Sequence, residues 1–429
     1  MAAPSGRTAR MTSPSLVVAA GARARHAARQ LWTSPALRVA AVHAASGAAF
    51  ALGNLLLARV LAPAEYGSFS LVVALLNVTV GLAPLGADGA VNRRTIDPGF
   101  RLFRRVAVSS VLVGGVTAAI ARWIYPSLDR ALLPLLWVAI AFGGLNVVSA
   151  ALFQSLHRFR VSLVLLQTVN LAVATAAVVT AATGLRRADV AVAFIGVAFL
   201  FSAAYGWGRL RRQHRVPRER RDRYLWGESL SFVGLQASAA LLSQLERLVA
   251  GRALGLAELA TYSVLAAIGT SPFRMLRMGI GYTLLPRLRA AASARDRRRL
   301  VRRELITVAS VVAVGSVAVW FLTPVLLDVI VPGKYVIPGV LLFAAIVTGV
   351  LKAGEAFPRG VVNALASPRE LAWLNGVGWV AIASGVAAAA WAARWGLTGI
   401  VYGAGVGWII RMSVSSVIAV RHLRDPRPR

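Results

Sequence analysis

Apolar stretches of about twenty residues recur along the whole chain, each closed by a short polar or basic segment. Twelve of them reach the ~20 residues a helix needs to cross a bilayer. They fall at roughly 37–58, 67–89, 106–125, 131–153, 161–183, 188–207, 227–250, 261–284, 304–327, 337–357, 371–393 and 397–420. Barrel strands would be half as long and would alternate in polarity, which these do not. The pattern predicts an all-α polytopic membrane protein of about 12 transmembrane helices.

A repeat runs through this pattern. Residues 58–74 read ARVLAPAEYGSFSLVVA and residues 251–267 read GRALGLAELATYSVLAA. At a constant offset of 193 residues, Arg59 falls on Arg252, Leu61 on Leu254, Ala64 on Ala257, Glu65 on Glu258 and Ser70 on Ser263. Each copy joins the end of one apolar span to the start of the next. Six spans separate the copies, so both halves enter the membrane in the same sense. Two six-helix lobes related by a parallel pseudo-twofold axis are expected, with a binding site where they meet. The predicted organisation is a basic, disordered cytoplasmic tail (1–36), a first lobe (37–208), a basic cytoplasmic linker (209–225), a second lobe (226–420) and a short tail (421–429).

Composition supports the membrane assignment: the chain is 57% hydrophobic with a mean hydropathy of +0.66. A soluble chain of this length needs more polar surface. The net charge of +32 could suggest nucleic acid, but its distribution points elsewhere. With the N-terminus inside, inner segments hold 35 of the 48 basic residues and outer segments hold 8. That asymmetry sets an orientation with both ends cytoplasmic. The basic loops then attract anionic lipid headgroups, and no nucleic-acid partner is expected. Cysteine is absent, which excludes disulfides, thiolate metal sites and a cysteine nucleophile.

Charges inside spans are expensive and therefore mark candidate sites. They lie almost entirely in the second half. Arg274 and Arg277 share a helix face just after Pro272. They are expected to line a wet cavity, where paired guanidinium groups suit phosphate; the alternative is that one pairs with Glu246. Lys352, Glu355 and Arg359 also share a face, and either line the cavity or snorkel toward the cytoplasm. Arg411 is a further lining candidate, while Glu246 and Arg247 are lining or interfacial. In the first half, Asp88 is either an ion-coupling carboxylate or an ion pair with nearby arginines. His43 is expected to make a helix–helix hydrogen bond.

Signatures of catalysis are missing. There is no GxxxxGK[ST] phosphate loop, no GxSxG, no HExxH and no metal-spaced cluster. The chain is therefore expected to be no enzyme and to need no cofactor. A multispan glycosyltransferase or polysaccharide polymerase stays an alternative, although its catalytic acids would have to come from acidic residues scattered singly in short outer loops.

The segment LLLARVLAPAEYGSFSLVVALL, followed by GLAPLGADGAVNRR, resembles the lipid-linked oligosaccharide flippases of polysaccharide biosynthesis. These belong to the multidrug/oligosaccharidyl-lipid/polysaccharide exporter superfamily. Similar proteins carry an LAR-x-L-x-x-x-EYG turn, here residues 57–67, and a G-x-x-x-x-x-x-RR exit, here residues 86–94. The LLPRL at 284–288 is similar too. The resemblance implies a two-lobed rocker-switch transporter with a central cationic cavity, moving polyprenyl-pyrophosphate-linked sugars from the inner to the outer leaflet. It implies partners among the polysaccharide polymerase and glycosyltransferase machinery. A drug or small-cation exporter of the same superfamily is the alternative within transport.

Overall fold

The computed structural model describes residues 35–93, 96–213, 226–274, 276–277, 284, 288, 291 and 293–424. Most of the leading tail and of the 209–225 linker, Arg94, residues 278–283 and residues 425–429 lie outside the described residues, as does the side chain of His43. The chain divides into a leading unit, Met1–Ala45, and a large one, Ser46–Arg429.

The described residues are helical throughout, with no strand among them. In chain order the helices are α1 (Pro35–Val60), α2 (Pro63–Thr79), α3 (Ala87–Arg93), α4 (Phe100–Ile124), α5 (Leu132–Ser155), α6 (Phe159–Leu166) and α7 (Thr168–Thr183). There follow α8 (Ala188–Gln213), α9 (Trp226–Ala253), α10 (Leu256–Leu265), α11 (Ala294–Ile330), α12 (Gly339–Leu365), α13 (Pro368–Ala392) and α14 (Gly396–Arg424). Their boundaries follow from local chemistry. Pro63 sits in the first turn of α2, where its missing N–H is harmless. Gly184 closes α7 in the left-handed conformation. Ser367 and Glu370 form a capping box that starts α13.

Six helical stretches among the described residues are long and apolar enough to cross a membrane, or seven if the bent pair α6–α7 is one span. One of the six, Arg369–Arg424, holds both α13 and α14. These fold back on one another through a 3-10 turn at Ala393–Trp395, and Gly403 lies against the Ala389 backbone where no side chain would fit. Other predicted spans fall short for identifiable reasons. Helix α2 has 17 residues. Helix α9 is interrupted by Gln236, Ser238, Ser243, Gln244, Glu246 and Arg247.

Two spans read as continuous in the sequence are broken. The expected helix at 67–89 stops at Thr79, turns through Leu85 and Gly86 at φ of 49° and 75°, and resumes as α3. A Cβ on Gly86 would lie 1.9 Å from the Ser229 carbonyl oxygen of α9, so that turn can press directly on a neighbouring backbone. The second break, at Gln167, bends α6 against α7 by 46°.

The two copies of the repeated turn pack on each other. The position a Cβ would take on Gly67 is 1.8 Å from the Leu256 carbonyl oxygen. Nearby, the end of α1 is held from the opposite half of the sequence. Lys334 Nζ donates to the carbonyls of Ala58 (2.7 Å), Arg59 (3.0 Å) and Leu61, and Tyr335 Oη donates to Ala58 O (3.2 Å). Terminal helix carbonyls lack partners and carry partial negative charge, so an ammonium satisfies both needs. Lys334→Met should lower stability by about 1.5 kcal/mol, the low end for bonds to a charged group because the side chain is partly exposed. A thermal melt of the purified variant reads this directly, and an unchanged midpoint would show that the lysine does not hold the helix end.

Candidate functional site

The ionisable residues of the second half converge, and they do so as carboxylates enclosed by cations. Glu246 of α9 is 1% exposed and pairs with Lys352 Nζ of α12 at 2.5 Å. Glu355, one turn further along α12, is fully buried. Its Oε1 lies 3.1 Å from Arg411 Nε of α14 and 3.7 Å from Arg359 Nε. Arg411 is itself only 3% exposed. Both carboxylates are held by charge rather than by aligned hydrogen bonds: Glu246 Oε1 and both Glu355 oxygens meet no donor in bonding geometry.

Trp408 of α14 sits among these groups, fully buried. Its ring faces Arg277 at 4.9 Å and Lys352 at 5.8 Å, distances at which a cation is drawn to an indole face. Arg274 lies over the Phe50 ring at 5.8 Å. Arg274 is exposed, and Arg277, Lys352, Arg359 and Arg247 are half-buried. The cations are linked by their fields: Arg247 acts on Arg274, and Arg274, Arg359 and Arg411 act on Arg277. The positions follow from the chain. A π turn at Ala266–Thr270 precedes Pro272 and sets the register of the segment that carries both arginines. Trp408 and Arg411 are three apart and share a face of α14.

Three cations therefore pair with two carboxylates, Arg277 stands beside them, and some donors remain without an acceptor. Arg411 Nη1 and Trp408 Nε1 are buried and meet no acceptor among the described residues. Buried donors of this kind are costly unless something accepts from them. Such a cluster can accept an anion, and its guanidinium groups suit phosphate, which they bind bidentately.

All seven expected residues of the second half thus fall in one connected set, with differences of detail. The alternative partner for the arginines, Glu246, is taken by Lys352. Lys352 and Glu355 share a face but pair with different helices, Lys352 with Glu246 of α9 and Glu355 with Arg411 of α14. Glu246 is buried and not interfacial. Asp88 lies apart from this set: Gln236 Nε2 of α9 donates to its Oδ2 at 2.9 Å. Trp408, Phe50 and Gln236 were not singled out from the sequence. The Trp408–Arg411 spacing was a usable signal, whereas Phe50 and Gln236 offered none.

The first half holds a neutral polar network at the α6–α7 bend. Asn170 Nδ2 donates to Ser46 Oγ (2.7 Å) and Gln167 Oε1 (2.8 Å), and Ser46 Oγ also donates to Gln167 Oε1. Ser202 Oγ donates to Asn146 Oδ1 (2.6 Å), whose amide donates to the Leu165 carbonyl (2.8 Å). Carbonyls freed by the bend are thereby partnered inside the protein. No group of three or more His, Cys, Asp or Glu residues with metal-binding geometry occurs among the described residues.

A family model described as "Polysaccharide biosynthesis protein" matches residues 56–336. The chain belongs to the polysaccharide biosynthesis protein family. The match takes in the repeated turns, both broken helices and the paired arginines. Among curated proteins, none matches the chain. Solved structures share the fold of this family member. One is the inward-facing conformation of a multidrug resistance MATE family transporter of the MOP superfamily, at 16% identity and a TM-score of 0.62, covering 88% of this chain and 94% of that one. Another is the lipid II flippase MurJ in an inward closed conformation, at 10% identity and a TM-score of 0.63, covering 90% and 87%. The outward-facing conformation of a multidrug resistance MATE family transporter matches at 14% identity and a TM-score of 0.54, covering 90% and 95%. The fold is MATE-like, and its long apolar helices are those of a multi-pass membrane protein of the polysaccharide biosynthesis family. Its structural neighbours are transporters, not enzymes.

Proposed function

We propose that this family member flips polyprenyl-pyrophosphate-linked oligosaccharide from the inner to the outer leaflet of the bacterial plasma membrane. One observation carries this reading: Lys352, Arg359 and Arg411 pair with two buried carboxylates, with Arg277 beside them and buried donors left unpartnered, within the helices of a MATE-like fold. A pyrophosphate diester is a dianion of the size and geometry that such a cluster accepts. The same positive balance opposes cationic cargo, which argues against a drug or small-cation exporter. Twelve spans in two six-helix lobes, with both termini cytoplasmic, complete the proposal. Anionic lipids would bind the basic inner loops, and a polysaccharide polymerase would consume the flipped product.

Cells depleted of the protein are expected to accumulate lipid-linked sugar in the inner leaflet, out of reach of a membrane-impermeant label. Wild-type protein should clear it. Arg274→Ala combined with Arg277→Ala should lower clearance at least tenfold while the protein still reaches the membrane. Accumulation in the outer leaflet would instead point to a polymerase or ligase and would overturn the proposal.

A further inference from the structure

The turn between α13 and α14 holds a cation that the cluster described above does not use. Arg394 lies in the 3-10 turn Ala393–Trp395, with its guanidinium carbon 3.9 Å from the centre of the Trp391 ring and 4.2 Å from that of the Trp395 ring. At such distances the guanidinium has to lie over the ring faces. The two indoles meet edge to face, centres 4.6 Å apart and planes at 81°, so Arg394 occupies the corner they form. Its N–H groups meet no acceptor among the described residues, and the sequence has no aspartate or glutamate between 371 and 424. The equivalent turn of the first half, between α7 and α8, is closed differently: Arg187 donates to both oxygens of Asp189, at 2.6 and 3.2 Å.

An apolar groove of about 620 Å³ begins at this corner. Trp391 and Trp395 line one end of it, Val340 of α12 flanks it, and Tyr402 and Val406 of α14 continue it. From Thr398 to Val406 the groove follows α14 over about 12 Å. These five aromatic and aliphatic side chains are exposed, on helices long and apolar enough to cross a membrane, so the bilayer is the medium that meets them. We infer that the groove and Arg394 together bind an anionic glycerophospholipid, with one acyl chain in the groove and the phosphodiester on Arg394.

Three properties select that occupant. Paired tryptophans at a helix end place the turn at headgroup depth, where a phosphate and the start of an acyl chain lie within reach together. A guanidinium held between two rings is already ordered, and its free N–H edge suits a phosphate bidentately. A zwitterionic headgroup fits less well. Its ammonium would seek the indole faces, which Arg394 already covers, and would meet a like charge there. In the orientation proposed above, the site belongs to the outer leaflet, apart from the basic inner loops. It does not depend on the cargo.

The test uses the full chain in phosphatidylcholine nanodiscs. A small fraction of the lipid carries a photoreactive diazirine on one acyl chain, under either a phosphatidylglycerol or a phosphatidylcholine headgroup. After irradiation, labelled peptides are mapped by mass spectrometry. Residues 388–406 should be labelled about fivefold more by the phosphatidylglycerol probe, the upper end for one exposed charge pair. Arg394→Gln should abolish that preference and leave labelling by the phosphatidylcholine probe unchanged. Ala388→Phe, which fills the groove, should lower labelling of the segment by both probes. Equal labelling of wild-type protein by the two probes would show an ordinary lipid shell and overturn the inference. A preference that survives Arg394→Gln would overturn it too, as would undiminished labelling of a folded Ala388→Phe. The wild-type comparison stands by itself should either variant fail to fold.

Discussion

Lys352→Met should destabilise the protein by about 3–5 kcal/mol, the range for stranding one member of a buried ion pair. Methionine preserves most of the aliphatic stem that packs beside Trp408, so lost volume contributes little. What remains is Glu246, almost fully buried, with its countercharge gone. The expected result is a large drop in thermal midpoint and in the yield of folded protein. The companion measurement separates charge from packing. Lys352→Met combined with Glu246→Gln removes both charges, and it should recover most of the lost stability although two native residues are now missing. A double variant as unstable as the single one would mean that the pair acts through packing, and the description of the site as charges held by charges would have to be abandoned.

A change of one methyl group at Gly67 is expected to be as damaging. The Cβ of Gly67→Ala would fall 1.8 Å from the Leu256 carbonyl oxygen and 2.6 Å from its carbonyl carbon. Both are backbone atoms, which cannot rotate aside as a side chain could. Helices α2 and α10 would have to separate, and buried residues such as Phe69, Leu71 and Leu259 would lose contact. Overpacking of this kind costs about 3 kcal/mol or more when backbone must move. Gly67→Ala is expected to give sharply reduced folded protein on size-exclusion chromatography, and Gly67→Val none. Gly184 is the control: nothing lies within 4 Å of its Cβ position, although its φ of 73° still disfavours a side chain. Gly184→Asn, which tolerates that conformation, should leave yield nearly unchanged. Normal folding of Gly67→Ala would show that the two turns do not touch as described.

Much of this was legible in the sequence because membrane helices announce themselves by length and polarity, and because a charge inside a span is too costly to be incidental. The EYG turn, the paired arginines and the run Lys352, Glu355, Arg359 could all be read without coordinates. What could not be read is partnership. Lys352 and Glu355 share a helix face, yet the neighbours α9 and α14 decide where each side chain turns. The breaks at 80–86 and at Gln167 were hidden for a related reason. Apolar composition runs straight through both; local turn bonds such as Ala83 N–H to the Thr79 carbonyl close the first, and at the second the Leu165 carbonyl is taken by Asn146 from another helix. Periodicity records what a helix presents to its surroundings, not whether a distant amide will replace a backbone bond.

The meeting of Gly67 with Leu256 also bears on the ancestry of the two halves. By the 193-residue offset, the counterpart of Gly67 is Ala260 and the counterpart of Leu256 is Pro63. The duplicated turns have thus diverged into a socket and the knob that fills it. Neither half can dock on a copy of itself in this way, since a pair of first halves would set Gly67 against a proline and a pair of second halves would bring an alanine where only glycine fits. If a symmetric dimer of single halves preceded this protein, the glycine marks where fusion became irreversible.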